Sequence, residues 1–164
     1  MENSQIFKLE EFVNDVLDFS GKIALENFRK IRDMSLKGDS SPVTKVDMEI
    51  EQYIRTRILE KYPNHKIIGE ELDYVDGSEN VTWYIDPIDG TRSFVAGKHD
   101  FGTLLAVVKE EELIGGVIDC PALGERWTSF RPQQTKANQT LTQCKAVEEL
   151  NNAVMATTSS HEFG

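Results

Sequence analysis

The chain has 164 residues, 39% of them hydrophobic and 28% charged, with a formal net charge of −10. That length suits one domain with a real core, and the acidic balance argues against nucleic acid as the default partner, since phosphate backbones attract a Lys and Arg surplus. No apolar run approaches the roughly 20 residues of a membrane helix, and Met1-Glu2-Asn3-Ser4 lacks the basic-then-apolar pattern of a signal peptide, so a cytoplasmic protein with no membrane partner is expected.

From the amino terminus, Phe7, Leu9, Phe12, Val13, Val16, Leu17, Ile23, Ala24, Phe28 and Ile31 recur at helical spacing. They predict one long amphipathic helix from about Gln5 to Arg32 that tolerates Gly21. The polar stretch Ser35 to Pro42 reads as a loop. Thr44 or Asp47 then caps a second helix whose stripe is Val46, Ile50, Tyr53, Ile54, Ile58 and Leu59, stopped by Tyr62-Pro63-Asn64.

From Lys66 the pattern becomes β-like. Lys66 to Gly69, Val81 to Ile85, Gly102 to Val108 and Leu113 to Ile118 read as short strands, separated by acidic turns around Asp76-Gly77 and Glu110 to Glu112. Arg131 to Glu149 resists assignment, and Ala153 to Thr158 reads as one more strand. Two helices followed by consecutive strands predict an α+β fold: two long helices packed on a largely antiparallel sheet. Cys120 and Cys144 lack CxxC spacing and nearby His, which predicts buried or half-buried free thiols. His65, His99 and His161 are scattered and read as surface or turn residues, with His99 close enough to the next motif to meet a substrate.

The run Trp83-Tyr84-Ile85-Asp86-Pro87-Ile88-Asp89-Gly90-Thr91 carries the chemistry. Asp86 stands at the end of an apolar strand, Pro87 stiffens the turn that follows, and Asp89 returns a second carboxylate. Hard oxygen ligands of this kind, with the Ile88 carbonyl between them, suit Mg²⁺. Gly90 and Thr91 open a short helix through Phe94, and its N–H groups favour an anion. Taken alone, Asp-Pro-Ile-Asp-Gly is also ordinary turn punctuation. Gly69-Glu70-Glu71, at the end of another strand, adds a glutamate able to reach the acidic turn. The combination is far rarer by chance than either part.

Together, Gly69-Glu70-Glu71 and Trp83 to Thr91 resemble the signature of the inositol monophosphatase superfamily of Mg²⁺-dependent, lithium-sensitive phosphatases. Phe94 to Lys98, Phe101 to Leu104, Gly116 to Asp119, Pro121 to Trp127 and Ala156 to Ser159 are more similar to its histidinol-phosphatase branch than to its inositol branch. The resemblance implies the amino-terminal part of a layered αβαβα fold. It also implies hydrolysis of a small phosphorylated alcohol, of the histidinol phosphate or inositol monophosphate type, by in-line attack of a metal-activated water. Two cations about 4 Å apart serve such chemistry. Carried over residue by residue, Glu70, Asp86 and the Ile88 carbonyl match one metal site, Asp86 and Asp89 a second, and Glu70 a weak third. Gly90 and Thr91 match the phosphate-binding positions, and Thr91 with Asp47 the pair that orients the attacking water. Lys37 falls in a loop that closes over the metals. Homodimer formation is left open.

Two departures qualify this match. Complete members carry a second α/β domain that supplies a further aspartate, and no such motif follows Asp119. Residues 1–150 are therefore expected to form the amino-terminal domain and residues 151–164 the start of the next, with weak or absent activity in isolation. Lys98-His99-Asp100-Phe101 also lacks the proline that usually follows the lysine. A non-catalytic metal-binding or regulatory protein that retains the fold is the alternative, and an acidic scaffold for another protein is a third reading.

Overall fold

In the computed structural model, residues 2–30, 35–36, 42–130 and 134–154 are described. The first helix, α1 (Asn3–Asn27), buries Leu9, Phe12, Val13, Val16 and Leu17 and keeps Gly21 inside its span. It stops earlier than the predicted Arg32. Phe28 caps it through its N–H to the Ala24 carbonyl, and Arg29 takes a left-handed backbone (φ 62°) that no helix continues through. That backbone is held from outside, since Arg29 Nε donates to the Gly97 carbonyl at 3.1 Å. Ile31 and Arg32 lie outside the described residues, as do Lys37, His161 and most of the expected strand from Ala153, whose Ala153 and Val154 are not in a strand.

A two-stranded antiparallel ladder, β1 (Ser35–Leu36) with β2 (Pro42–Val43), leads into α2 (Lys45–Lys61). Thr44 is the N-cap. Its hydroxyl accepts from the N–H groups of Val46 and Asp47, and the Asp47 carboxylate reaches back to the Thr44 N–H at 3.0 Å. This reciprocal box satisfies donors that a helix start otherwise leaves orphaned. Ile50, Ile54 and Ile58 follow as a fully buried stripe, and Tyr62 ends the helix by donating to the Ile58 carbonyl.

The main sheet takes strands in chain order: β3 (Lys66–Gly69), β4 (Val81–Asp89), β5 (Gly102–Lys109), β6 (Glu112–Cys120), β7 (Glu125–Phe130), β8 (Lys136–Ala137) and β9 (Thr140–Leu141). β3 and β4 are parallel; every other neighbouring pair is antiparallel. A short helix, α3 (Thr91–Val95), joins β4 to β5. The expected α+β arrangement is thus observed, with β7 to β9 as strands the sequence did not disclose.

Alternation along β4 separates the faces. Val81, Trp83 and Ile85 point into the core under the helices, while Tyr84 points out. Phe12 of α1 meets Trp83 edge-on at a 6.0 Å centroid distance and Tyr62 at 5.3 Å. Burying a large apolar side chain contributes about 1.5–3 kcal/mol, so this aromatic group fixes how the helices sit on the sheet. Arg126 on β7 adds a polar tie to α1, donating to Asp119 and to Asp18, both at 2.7 Å. The opposite face is a cleft of about 760 Å³ lined by Ile68, Tyr84, Leu113, Ile118 and Trp127, with Glu70 and Asp86 on its margin.

Two expectations about side chains are corrected here. His65 is buried rather than a surface residue, because its ring stacks on Tyr62 and accepts a hydrogen bond from Trp83. Cys144 is exposed rather than buried or half-buried; both cysteines are free thiols, and Cys120 is the half-buried one.

Candidate metal and phosphate site

Parallel pairing brings the acidic residues together. Ile68 pairs with Tyr84 and Gly69 with Ile85, and the Glu70 N–H continues the ladder by donating to the Ile85 carbonyl at 3.1 Å. Glu70 is thereby set beside Asp86. The chain bends immediately after Gly69, so the glutamate's reach comes from this bend and ladder together.

The strand does not stop at Asp86 as the sequence suggested. β4 runs on to Asp89 through a bulge: Asp86 pairs with Leu104 and Asp89 with Gly102, three steps on β4 against two on β5. Pro87 has no N–H to give, so the bulge costs it no ladder bond. The Thr103 hydroxyl anchors the Pro87 carbonyl at 2.9 Å. The extra residue places Asp89 and Asp86 on one acidic turn.

The electrostatics follow from this crowding. The Asp86 carboxyl is pushed up to about 8, first by burial, then by the charge and hydrogen bond of Glu70, then by the charges of Asp89 and Asp47. Like charges that cannot all ionise favour either a shared proton or a cation. Asp86 Oδ1 is buried without a hydrogen-bond partner, which is costly unless something binds there. Among the described residues, no three His, Cys, Asp or Glu side chains already stand as a preassembled metal-holding group. The donor set nonetheless fits a hard divalent cation: carboxylate oxygens, one of them orphaned, beside a main-chain carbonyl.

A second group adjoins it. Asp47, fully buried at the start of α2, has its carboxyl raised by burial against the lowering hydrogen bonds of Thr44 and Thr91. The Thr91 hydroxyl lies 3.3 Å from Asp47 Oδ1 and 3.0 Å from the Ile88 carbonyl. It has one proton for two acceptors. Gly90 forms the corner between β4 and α3 at φ 82°, and a Cβ there would stand 2.8 Å from the Asp100 carbonyl. Only glycine adopts that corner without strain.

The structure thus gathers Glu70, Asp86, Asp89, Asp47, Ile88, Gly90 and Thr91 around one turn. His99 is exposed, against the Phe28 ring and 3.5 Å from Arg29 Nη2. Lys37 lies outside the described residues. Sequence reading missed Glu51 and Arg55, buried on α2 and bonded to the main chain just after Glu70. A charged i, i+4 pair flanking the Ile50–Ile54–Ile58 stripe was the available signal.

Helices layered on a mixed sheet, with a carboxylate cluster between the end of β3 and the bulge of β4, define the class: an α+β protein with a site suited to a hard divalent cation. The chain belongs to the inositol monophosphatase family, whose pattern matches residues 8–162. It is 36% identical over 165 residues to the chloroplastic bifunctional phosphatase IMPL2 of Arabidopsis thaliana, covering 99% of this chain and 48% of that protein. It is 35% identical to a histidinol-phosphatase of Chlorobaculum parvum, covering 91% and 58%. Among solved structures, a Thermotoga maritima IMPase superposes with a TM-score of 0.80 at 27% identity, covering 84% of this chain and 54% of that one. The chain spans about half the length of the curated relatives it matches.

Proposed function

We propose that this chain carries the metal- and phosphate-binding centre of a Mg²⁺-dependent phosphomonoesterase acting on a small phosphorylated alcohol, of the histidinol phosphate or inositol monophosphate type. The observation that carries this reading is the orphaned, buried Asp86 Oδ1 inside a carboxylate cluster next to the Thr91–Asp47 pair. Glu70, Asp86, Asp89 and the Ile88 carbonyl would hold the cations. When bound, a divalent cation neutralises phosphate charge and makes a water a better nucleophile at neutral pH.

The chain's own residues do the rest. With Asp47 ionised, the Thr91 hydroxyl donates to it, which frees the Ile88 carbonyl and turns the Thr91 lone pairs toward a water proton. Asp47 is the final acceptor of that proton's charge, and its burial raises its basicity for the task. The main-chain N–H groups of Gly90 and Thr91 orient the phosphate. No side chain in this arrangement forms a covalent phosphoenzyme. The free thiols and the net charge of −10 support a reducing, cytoplasmic setting and a small substrate. The 35% identical histidinol-phosphatase supports histidinol phosphate as the first substrate to test. Among the described residues no helix is long and apolar enough to cross a membrane.

The test pairs calorimetric Mg²⁺ titration with phosphate release from histidinol phosphate and inositol monophosphate, for the chain and for Asp86→Asn. Saturable Mg²⁺ binding that Asp86→Asn abolishes is expected, with weak release of either phosphate or none from this chain alone. Mg²⁺ binding that is absent, or unaffected by Asp86→Asn, would sink the assignment.

A further inference from the structure

Glu70 and Asp89 are the exposed members of the cluster, but Glu70 stands on a bend rather than in a strand, so something must hold that bend. Beneath it, the Glu51 side chain is fully buried and that of Arg55 is 6% exposed. Arg55 Nε donates to Glu51 Oε1 at 2.7 Å, and Nη2 lies 2.6 Å from the same oxygen. The pair does not close on itself. Glu51 Oε2 accepts from the Glu71 N–H at 2.8 Å, and Oε1 from the Leu72 N–H at 3.2 Å. Arg55 in turn donates to the carbonyls of Leu72 at 2.7 Å and Asp73 at 2.5 Å.

One buried ion pair therefore holds four main-chain groups of residues 71–73 from below, while the Ile85 carbonyl takes the Glu70 N–H from the side. Gly69 completes the fit: a Cβ there would lie 1.9 Å from Glu51 Oε1 and 2.7 Å from Arg55 Nη2. A buried ion pair is weak evidence for stability as such, since apolar replacements often match it. Charged groups aimed at four main-chain groups of one bend instead fix its path, and charge-assisted bonds are the strong ones.

We propose that Glu51 and Arg55 are positioning residues: they clamp the bend after β3 so that Glu70 is presented to Asp86, where the two carboxylates would serve a cation. This deepens the reading of the site given above and rests on it. The role is carried through the main chain, with neither side chain touching cation or substrate.

The experiment measures MgCl₂ binding by calorimetry, and amide hydrogen exchange at Glu71 and Leu72, in the unmodified chain, Glu51→Gln, Arg55→Lys and Asp86→Asn. Glu51→Gln is expected to weaken Mg²⁺ binding by about 10- to 100-fold, the range seen when groups behind a metal ligand are removed. It should accelerate exchange at both amides and leave the β4–β5 amides protected. Arg55→Lys keeps a cation against Glu51 but loses the planar fork, so it should give a smaller loss of the same kind. It also serves as the measurement if Glu51→Gln does not fold.

Faster exchange at Glu71 and Leu72 with unchanged Mg²⁺ affinity would overturn the proposal, leaving the clamp a stability element while Asp86→Asn still abolished binding. Absence of Mg²⁺ binding in the unmodified chain would instead overturn the site reading, and the clamp's role with it.

Discussion

Trp83 Nε1 donates a hydrogen bond to His65 Nδ1 at 2.9 Å inside the core. The imidazole accepts there only when neutral, with its proton on Nε2 facing the Glu79 carboxylate 3.5 Å away. Burial holds the His65 pKa below its usual 6.5, and the half-exposed Glu79 pulls it back only in part. The sign is fixed by this: the unfolded chain takes up the proton more readily. Stability from His65 is present in full above about pH 6.5 and is lost progressively as pH falls below that value. Urea unfolding followed between pH 5 and 8 should show this slope. His65→Asn, which keeps an acceptor but does not titrate, should lower stability and flatten the slope; an unchanged slope would assign it to other groups.

Asp86 works in the opposite direction. Its carboxyl is raised to about 8 from an ordinary 3.8, so the folded chain holds a proton that the unfolded chain releases. The stability this contributes is present below pH 3.8, declines as pH rises, and is gone above about pH 8. Asp86→Asn should therefore raise the melting temperature at pH 8 without Mg²⁺ while abolishing Mg²⁺ binding. Added MgCl₂ should raise the melting temperature of the unmodified chain more at pH 8 than at pH 5.5, because the cation then competes with fewer protons. Equal shifts at both pH values would count against a cation at this carboxylate.

Thr44 links helix stability to the site, since its box with Asp47 both starts α2 and orients the Asp47 carboxylate. Thr44→Ala should cost about 1 kcal/mol, as loss of an N-cap generally does, measured by urea unfolding. Thr44→Ser should restore most of it.

The β5–β6 hairpin offers a stabilising change. Lys109 pairs with Glu112, so Glu110 and Glu111 form a two-residue loop, and both are left-handed, at φ 50° and 69°. That turn favours Asn-Gly, and a left-handed residue with a Cβ costs roughly 1–2 kcal/mol. Glu110→Asn with Glu111→Gly should raise stability by about 1 kcal/mol or more in the same unfolding assay. The Lys109–Glu110 contact it removes is 3.8 Å long and surface-exposed, and such pairs contribute little.

What the sequence disclosed follows from the range of the interactions involved. The α2 stripe and the β-type run of β4 are local, and both were legible, the first as period 3.6 and the second as a short apolar and aromatic stretch. The acidic turn was legible because Asp86, Asp89, Gly90 and Thr91 are neighbours in the chain. β7 was not: only Thr128 and Phe130 are buried along Glu125–Phe130, too few to show alternation. Burial of His65 depends on Trp83, eighteen residues away. The end of α1 depends on Arg29 meeting Gly97, sixty-eight residues away, and no local stop signal marks it. Glu51 and Arg55 drew no reading from the sequence because their partners are main-chain groups on another element.

The two faces of the sheet also give the molecule two optical reporters. Of its two tryptophans, Trp83 is wholly enclosed on the helix side, and Trp127 is 38% exposed on the cleft side. Trp83 emission should stay blue until the core itself melts. Trp127 emission should shift toward the blue whenever anything covers the cleft. With one indole replaced by phenylalanine at a time, the same cuvette separates loss of the fold from occupation of its open face.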